Sequence, residues 1–248
     1  MATDLVQIRD LEFAYPAQFA DSTSWKLIIK NLVIPSAAIC RVTGGNMVGK
    51  TTLLRVLAGL ESFRPYSTTR LSGELFHSSI NTKETVLTLH LKNTFFLSHS
   101  DRMFPEMTIW ENVKLSRNCG FLPKKNARRR FMEYISGLRI LRDKSDKTLL
   151  GSLSSGGQAL IRLARAYVWG AQLVLIDEVT AHLDDDSAAE FFANLRTFLA
   201  AGCSVILVSH DSRDHDLAAA LASEKTQLLA IPIERKEGSS CVIVPSSC

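Results

Sequence analysis

The residues whose types and spacing most clearly predict chemistry lie between Gly44 and Thr51, where the sequence reads Gly-Gly-Asn-Met-Val-Gly-Lys-Thr. This run fits the pattern G-x-x-x-x-G-K-[ST], in which backbone N–H groups of a glycine-rich loop converge on phosphate oxygens. An apolar strand pattern, Ala38 to Thr43, precedes it, and a helix pattern ended by a glycine, Lys50 to Gly59, follows it. A helix N-terminus also attracts negative charge. We therefore predict a phosphate-binding loop; the alternative is a tight glycine turn.

The residues of this loop have different predicted contacts. Lys50 is expected to bring its ammonium group to the β- and γ-phosphates of a nucleotide, and the Thr51 hydroxyl to ligate a magnesium ion. The other predicted nucleotide-binding residues belong to the same run and contribute backbone or neighbouring side chains: Gly44, Gly45, Asn46, Met47, Val48, Gly49 and Thr52.

Two carboxylates follow four consecutive apolar residues, Leu173 to Ile176. Such a run is typical of a central parallel strand, and ligands of open α/β sheets bind at the carboxyl ends of such strands. We therefore expect Asp177 to hold the magnesium ion, directly or through water. Glu178 is then suited to activate the water that attacks the γ-phosphate. Without the phosphate loop, the same pattern would equally describe an ordinary strand end.

Length and composition limit the class of protein. The 248 residues suit one α/β domain, and the 46% hydrophobic and 22% charged residues are typical of a globular chain. No apolar run approaches the ~18–20 residues that span a bilayer, so any membrane role is expected to require a partner. Five cysteines without a C-x-x-C pair favour a reducing compartment.

Alternating strand and helix patterns predict an α/β fold with a mostly parallel core sheet covered on both faces. The predicted domain covers residues 1–222, with a helical insert from about Thr108 to Thr148, and residues 223–248 form edge strands or a tail. Predicted strands are Leu5–Phe13, Leu27–Ile34, Leu71–Phe76, Thr85–Leu97, Leu173–Asp177, Cys203–Val208, Leu228–Ile233 and Cys241–Val244; predicted helices are Thr108–Arg117, Lys124–Leu141, Gln158–Val168 and Ser187–Ala200.

The helical insert is basic. Between Lys114 and Lys147 there are eleven Lys and Arg residues against three acids. Basic segments attract nucleic acid, anionic lipid or acidic partner loops. The alternative is an ordinary solvated helix face.

The segment Leu153-Ser-Ser-Gly-Gly-Gln158, followed by a helix pattern containing Ala164-Arg-Ala166, resembles the signature segment of ABC-type ATPases. The resemblance assigns Ser154, Gly156 and Gly157 to signature positions and implies a signature helix from Ser154. In that family this segment contacts the γ-phosphate bound by the opposite subunit. The resemblance therefore implies a site that is completed only when two such domains pair.

Other motifs of the same family follow in order along residues 5–222. Asp177 and Glu178 match the second phosphate motif and its catalytic glutamate, and Thr180 to Asp184 resembles the D-loop, so that Asp184 is a predicted contact. His210, after an apolar strand, resembles the switch histidine, and Tyr15 resembles the aromatic residue that stacks on adenine. The family implies ATP and Mg²⁺ as ligands and a P-loop NTPase fold with an antiparallel N-terminal β subdomain and an inserted helical subdomain.

The sequence departs from the family pattern at several positions. Met47 occupies a loop position that is usually glycine, and Val179 replaces a common proline. The glutamine of the Q-loop is absent: its position falls on His99 or, with the alignment shifted by one, on Ser100. We hypothesise that His99 replaces it as a neutral ligand or hydrogen-bond donor. Because Lys50, Asp177, Glu178 and His210 are retained, we expect an active ATPase.

The resemblance implies the ATP-binding and ATP-hydrolysing subunit of an ABC transporter. Its implied partners are a membrane-spanning subunit and a second copy or a paralogous nucleotide-binding subunit, without nucleic acid. The implied location is peripheral, on the cytoplasmic face of a membrane or the matrix side of an organelle membrane. Within the family, the run from Gly49 to Leu60 is similar to the haem-exporter ATPase of cytochrome c maturation. The alternatives are a soluble relative acting on the ribosome or nucleic acid, and a module that binds ATP without hydrolysing it.

Overall fold

A computed structural model describes most of the chain, in eight stretches. These are residues 4–14, 25–60, 70–77, 94–98, 103–115, 124–223, 226–235 and 241–244. No helix within these stretches is long and apolar enough to cross a bilayer.

The core sheet has five parallel strands in the order β5-β6-β7-β3-β8. The register aligns Asp177, at the end of β6, with Ser98 on one side and Val208 on the other. The carboxyl ends of these strands therefore meet at one edge of the sheet, where the predicted site residues follow. The strand bounds are β3 Ile39–Thr43, β5 Thr94–Ser98, β6 Leu173–Asp177, β7 Ser204–Val208 and β8 Leu228–Pro232.

A second sheet has the order β4-β1-β2-β10-β9. The pairs of β1 with β2 and with β4 are antiparallel, whereas β10 runs parallel to β2. The two sheets confirm the predicted α/β class with a parallel core and an antiparallel N-terminal part. The strand bounds are β1 Asp4–Ala14, β2 Lys26–Pro35, β4 Arg70–His77, β9 Glu234–Arg235 and β10 Cys241–Val244.

Six α-helices are described, together with a 3₁₀ turn at Leu150–Ser152. Alternate residues of the central strands belong to two hydrophobic clusters, as expected for strands buried on both faces: Val174 and Ile176 face the helical side, and Leu173 and Leu175 face the second sheet. The helix bounds are α1 Lys50–Leu57, α2 Ile109–Lys114, α3 Lys124–Ser136, α4 Ser155–Val168, α5 Asp185–Ala200 and α6 Ser212–Ala219.

Buried polar side chains join α2 to α4. Asn112, with no exposed surface, donates to the carbonyls of Phe104 and Thr108 and accepts from the Phe104 N–H at 2.9 Å. From α4 and its C-terminus, the Arg165 Nε donates to the Asn112 carbonyl and the Trp169 indole to the Val113 carbonyl, each at 3.0 Å. Because these groups are buried and paired, separating the two helices would leave several polar groups unsatisfied.

Several predicted boundaries were wrong by a few residues. The second insert helix ends at Ser136 instead of Leu141, because Gly137 begins a series of turns. The helix pattern predicted from Gln158 belongs to α4, which begins at Ser155, one residue after the start at Ser154 predicted for the signature helix, and α6 was not predicted. Most of the predicted strand at 85–97 lies outside the described residues.

Candidate active site

The predicted phosphate loop connects β3 to α1, as the sequence indicated. Gly44 and Gly49 have φ values of 147° and 99°, which favour glycine, and a Cβ at Gly44 would lie 2.5 Å from the Ile233 carbonyl oxygen. Met47 also has a positive φ, 59°, and its side chain is 98% exposed. Gly45 and Asn46 are exposed, whereas Val48 is partly covered. The loop thus presents its backbone to solvent at the start of a helix.

Lys50 is buried beneath this loop, where its ammonium group donates to the carbonyls of Gly44 at 3.0 Å and Gly45 at 2.8 Å. Burial lowers the pKa of Lys50, and the carboxylates of Glu178 and Asp177 oppose that shift. A fixed cation under an exposed backbone loop suits an anionic ligand of high charge.

Thr51 and Asp177 meet at the base of the loop, where the Thr51 hydroxyl donates to the Asp177 carboxylate at 3.2 Å. Burial raises the pKa of Asp177, although the hydrogen bond from Thr51 partly opposes it. Two hard oxygen ligands, one from a partly buried carboxylate, fit Mg²⁺, which binds through one or two protein oxygens together with water and substrate phosphates. Among the described residues, no group of three His, Cys, Asp or Glu could hold a metal ion by itself.

Glu178 and His210 form a pair beside Asp177. The His210 Nε2 lies 3.3 Å from Glu178 Oε1, and both side chains are about half exposed. Glu178 has a φ of 51°, a strained value for a residue with a Cβ, and its N–H donates to the Val208 carbonyl at 3.0 Å. That bond to the end of β7 holds the strained backbone and keeps the carboxylate beside the ring.

Lys50, Thr51, Glu178 and His210 line an open pocket of about 460 Å³. Its lining contains two residues that were not predicted site residues, Trp25 and Val208. The Trp25 indole ring lies so close to Gly49 that a Cβ at Gly49 would be 2.5 Å from it. No motif marks Trp25, because its place depends on how the start of β2 packs against the loop. The lining residues are Trp25, Met47, Val48, Gly49, Lys50, Thr51, Thr52, Glu178, Val208 and His210.

The signature residues form a separate surface at the start of α4. Ser154 is exposed and its hydroxyl oxygen accepts from the Gly157 N–H at 3.2 Å. Gly156 lies against α5, because a Cβ there would be 2.3 Å from Ser187 Oγ. The Ser187 N–H and hydroxyl both donate to the Asp184 carboxylate at 2.8 Å. Gly156 and Asp184 are thus joined through Ser187, and this described surface does not contribute to the pocket lining.

Three predicted residues lie outside the described residues: Tyr15, His99 and Ser100. Ser98, directly before His99, ends β5 at the same edge of the sheet as Asp177.

A profile of the family described as "ABC transporter" matches residues 30–181, more than half of the chain. The chain belongs to the ABC transporter family. The match includes the phosphate loop, the signature segment and the acidic pair after β6, and it confirms the family predicted from those motifs.

Curated relatives of this ABC transporter family member include both exporters and importers. The macrolide export ATP-binding/permease protein MacB of Shigella flexneri is 27% identical over 84% of this chain and 31% of that protein. The methionine import protein MetN of Wolinella succinogenes is 29% identical over 73% of this chain and 58% of that protein. The spermidine/putrescine import protein PotA of Haemophilus ducreyi is 30% identical over 85% and 52%. The chain thus matches only a third to three fifths, roughly, of the length of these relatives.

Solved structures share the fold. A dimeric ATP-binding cassette bound to ADP and phosphate in a post-hydrolysis state has a TM-score of 0.63 at 19% identity, covering 94% of this chain and 98% of that one. The protein cbiO1 of Clostridium perfringens, part of an ABC transporter complex, has a TM-score of 0.61 at 21% identity, covering 84% and 80%. These similarities confirm the ABC ATPase fold.

Proposed function

We propose that this chain is the ATP-binding and ATP-hydrolysing part of an ABC transporter. The observation that carries the proposal is one pocket at the carboxyl edge of the core sheet, lined by Lys50, Thr51, Glu178 and His210. Asp177 joins this group through its hydrogen bond with Thr51. The dimeric relative described as bound to ADP and phosphate supports the same activity.

The hydrolytic step uses groups whose surroundings are described above. The phosphate-loop N–H groups and Lys50 hold the triphosphate and offset its charge. Glu178 accepts a proton from a water molecule as that water attacks the γ-phosphorus, and the bond between the γ-phosphorus and the β-phosphate oxygen breaks to give ADP and phosphate. His210 orients Glu178 and donates to a γ-phosphate oxygen. Thr51 and Asp177 would hold Mg²⁺, which supplies charge neutralisation of the phosphates when bound.

Pairing of two domains follows from the separation between the pocket and the signature surface. Ser154 is exposed, lies at a helix N-terminus and is absent from the described lining of its own pocket. We infer that it contacts the γ-phosphate bound by a second copy or a paralogous domain, with Asp184 nearby. Each copy would then hold part of two sites.

The surface between α2 and the 3₁₀ turn is our proposed contact with a membrane-spanning partner. Phe104 and Leu149 are large apolar side chains that are 39% and 51% exposed, and apolar patches on a surface mark interaction sites. They lie on adjacent segments, because Thr108 pairs with Leu149 and the Gly151 N–H donates to the Pro105 carbonyl. Through this contact we place the chain at a membrane surface, on the side that contains ATP.

The nucleic-acid alternative has less support than the charge count suggested. Arg128 pairs with Asp146, Arg129 with Glu133, and Arg139 with Asp186 and Glu190. The Arg130 guanidinium lies over the Tyr167 ring and donates to the backbone carbonyl of Tyr167. In the described part of the chain, three of the eleven basic residues of the insert therefore have acidic partners, and of these partners only Asp186 and Glu190 add negative charge from outside the insert. The relatives differ in the substrates they transport, so we propose that the membrane-spanning partner selects the substrate.

The experiment that tests this function uses Glu178→Gln, which keeps the side-chain shape and removes the proton acceptor. ATP with Mg²⁺ should convert this variant to a stable dimer in gel filtration, with phosphate release reduced at least 100-fold, in line with the general range for acid–base groups. Glu133→Gln, an exposed acid on α3, is the matched control and should behave as the unmodified protein.

A second variant tests the pairing and the partner. Ser154→Ala in the Glu178→Gln background should weaken the ATP-dependent dimer, and Leu149→Asp should reduce co-purification of a polytopic membrane protein. A Glu178→Gln protein that stays monomeric with ATP, or that co-purifies with ribosomes or nucleic acid instead of a membrane protein, contradicts the proposal.

A further inference from the structure

Arg213, in the first turn of α6, connects two loops that the proposed mechanism uses. Its guanidinium donates to the carbonyls of Thr180 at 3.1 Å and Leu183 at 3.0 Å, and to the Asp185 carboxylate at 2.8 Å. It also lies 3.2 Å from the Asp211 carboxylate. The guanidinium therefore holds both ends of the loop 180–185 against the segment that follows β7.

Asp214, the next residue, reaches the same two loops from inside. Its side chain has no exposed surface, and it accepts hydrogen bonds from the hydroxyls of Thr180 and of Ser209, the latter at 2.7 Å. Among the described residues, no donor lies within hydrogen-bond distance of the other carboxylate oxygen, which is 3.6 Å from the Arg213 Nε. The charge of Arg213 is thus the counter-charge that this buried carboxylate faces.

The two loops carry the reacting pair. Thr180 is two residues after Glu178, and Ser209 immediately precedes His210, whose ring lies 3.3 Å from the Glu178 carboxylate. At its far end the loop 180–185 carries Asp184, which binds Ser187 and, through it, reaches Gly156 of the signature surface. Arg213 is therefore bonded to the middle of a continuous path from the signature surface to Glu178.

We propose that Arg213 is a positioning residue that sets the distance between Glu178 and His210 according to the position of the loop 180–185. When a second domain contacts Asp184 and Ser154, any shift of that loop moves the Thr180 and Leu183 carbonyls. The guanidinium transmits this shift to the segment around His210. This inference rests on the proposed roles of Glu178 and His210. It adds a link between the paired surface and the reacting groups that none of the motifs marks.

A purely structural role for Arg213 would use the same contacts, but a structural and a positioning role differ in what a substitution changes. Loss of a structural residue lowers the stability of the protein and leaves the rate per folded molecule unchanged. Loss of a positioning residue lowers kcat and leaves KM for ATP unchanged, because Arg213 is absent from the described pocket lining. Misplacement of reacting groups by about 1 Å costs up to about 100-fold in rate.

The test compares Arg213→Met, Arg213→Lys and Arg196→Met in the full chain. Arg196 is a matched control, since it also donates to a backbone carbonyl near α6, that of Ala220 at 3.3 Å, but lies away from the pocket. For each variant, kcat and KM for ATP are measured at saturating Mg²⁺, together with Tm. We expect Arg213→Met to lose about 10- to 100-fold in kcat with KM unchanged, Arg213→Lys to recover part of the loss, and Arg196→Met to keep its kcat.

Glu178→Gln and His210→Ala are measured in the same assay to separate the two hypotheses. If those two variants keep the unmodified rate, the proposed mechanism fails. If Glu178→Gln and His210→Ala lose activity, three results would overturn the positioning role alone. Arg213→Met could keep its kcat, or it could raise KM in proportion to its loss of rate. Alternatively, Arg196→Met could lose as much kcat as Arg213→Met.

Discussion

The contact between Gly156 and Ser187 makes a prediction about why glycine is needed at the start of α4. A Cβ at Gly156 would lie 2.3 Å from Ser187 Oγ and 2.6 Å from Ser187 Cβ, both far inside van der Waals contact. Ser187 is buried and cannot simply rotate away, because its N–H and hydroxyl cap α5 through Asp184. The added methyl group of Gly156→Ala must therefore push the starts of α4 and α5 apart.

The expected cost has two parts. Overpacking of a well-packed contact typically costs about 1–3 kcal/mol. Displacing Ser187 also weakens the N-cap of α5, typically worth about 1 kcal/mol. We therefore expect Gly156→Ala to lower the free energy of unfolding by about 2–4 kcal/mol, measured by urea denaturation of the nucleotide-free protein. Because no nucleotide is present, this loss is separate from any contact with ATP across a dimer.

Second-site changes at Ser187 test the geometry directly. Ser187→Ala removes only the hydroxyl and leaves the Cβ clash at 2.6 Å, so it should restore little stability to Gly156→Ala. Ser187→Gly removes both the Cβ and the Oγ and should restore more stability to Gly156→Ala than Ser187→Ala does. The gain is reduced by the cost of glycine within a helix, about 1 kcal/mol. The reasoning is refuted if Gly156→Ala unfolds with the free energy of the unmodified protein, or if Ser187→Ala and Ser187→Gly rescue it equally.

Three further outcomes are expected at the pocket and its signature surface. Burial raises the pKa of Asp177, so the folded chain holds this proton more tightly than the unfolded chain does. The resulting contribution to stability is present at low pH and is lost as the pH rises through the raised pKa. Asp177→Asn should therefore raise Tm of the nucleotide-free protein at neutral pH and flatten that part of its pH dependence, while hydrolysis is lost; an unchanged Tm in calorimetry would contradict this. Trp25 lies against Gly49 in the pocket, so ATP should change tryptophan fluorescence in the unmodified protein and not in Trp25→Phe; an equal change in both would contradict it. Ser154→Ala removes the acceptor of the Gly157 N–H and should lower the free energy of unfolding in urea by about 1 kcal/mol. An unchanged free energy of unfolding would contradict the N-cap role of Ser154.

The arrangement of the candidate site could be predicted from the sequence where neighbouring residues define the geometry. A strand, a glycine-rich turn and a helix leave few ways to arrange Lys50 and Thr51, and a buried parallel strand must present Asp177 at its carboxyl end. Both expectations agree with the contact between Thr51 and Asp177. The same local logic explains why the α/β class and most strands were predictable.

The parts that were missed depend on contacts between distant segments. Trp25 enters the pocket only because β2 packs beside the phosphate loop. Two partners of Arg213 are the backbone carbonyls of Thr180 and Leu183, groups that every residue has, and no motif connects Arg213 with them. The close contact of Gly156 with Ser187 joins positions on two helices, and the signature pattern explains the glycine only by its open backbone.

The buried hydrogen bonds from Arg165 and Trp169 to α2 have a mechanical consequence. They join the Phe104–Thr108 segment, through Asn112, to the helix that begins beside Ser154. Bending this assembly internally would break bonds that no water can replace, whereas turning it as one piece breaks none of them. A displacement of Phe104 should therefore move Ser154 by a rigid-body rotation of the whole assembly, with little internal deformation between the two residues.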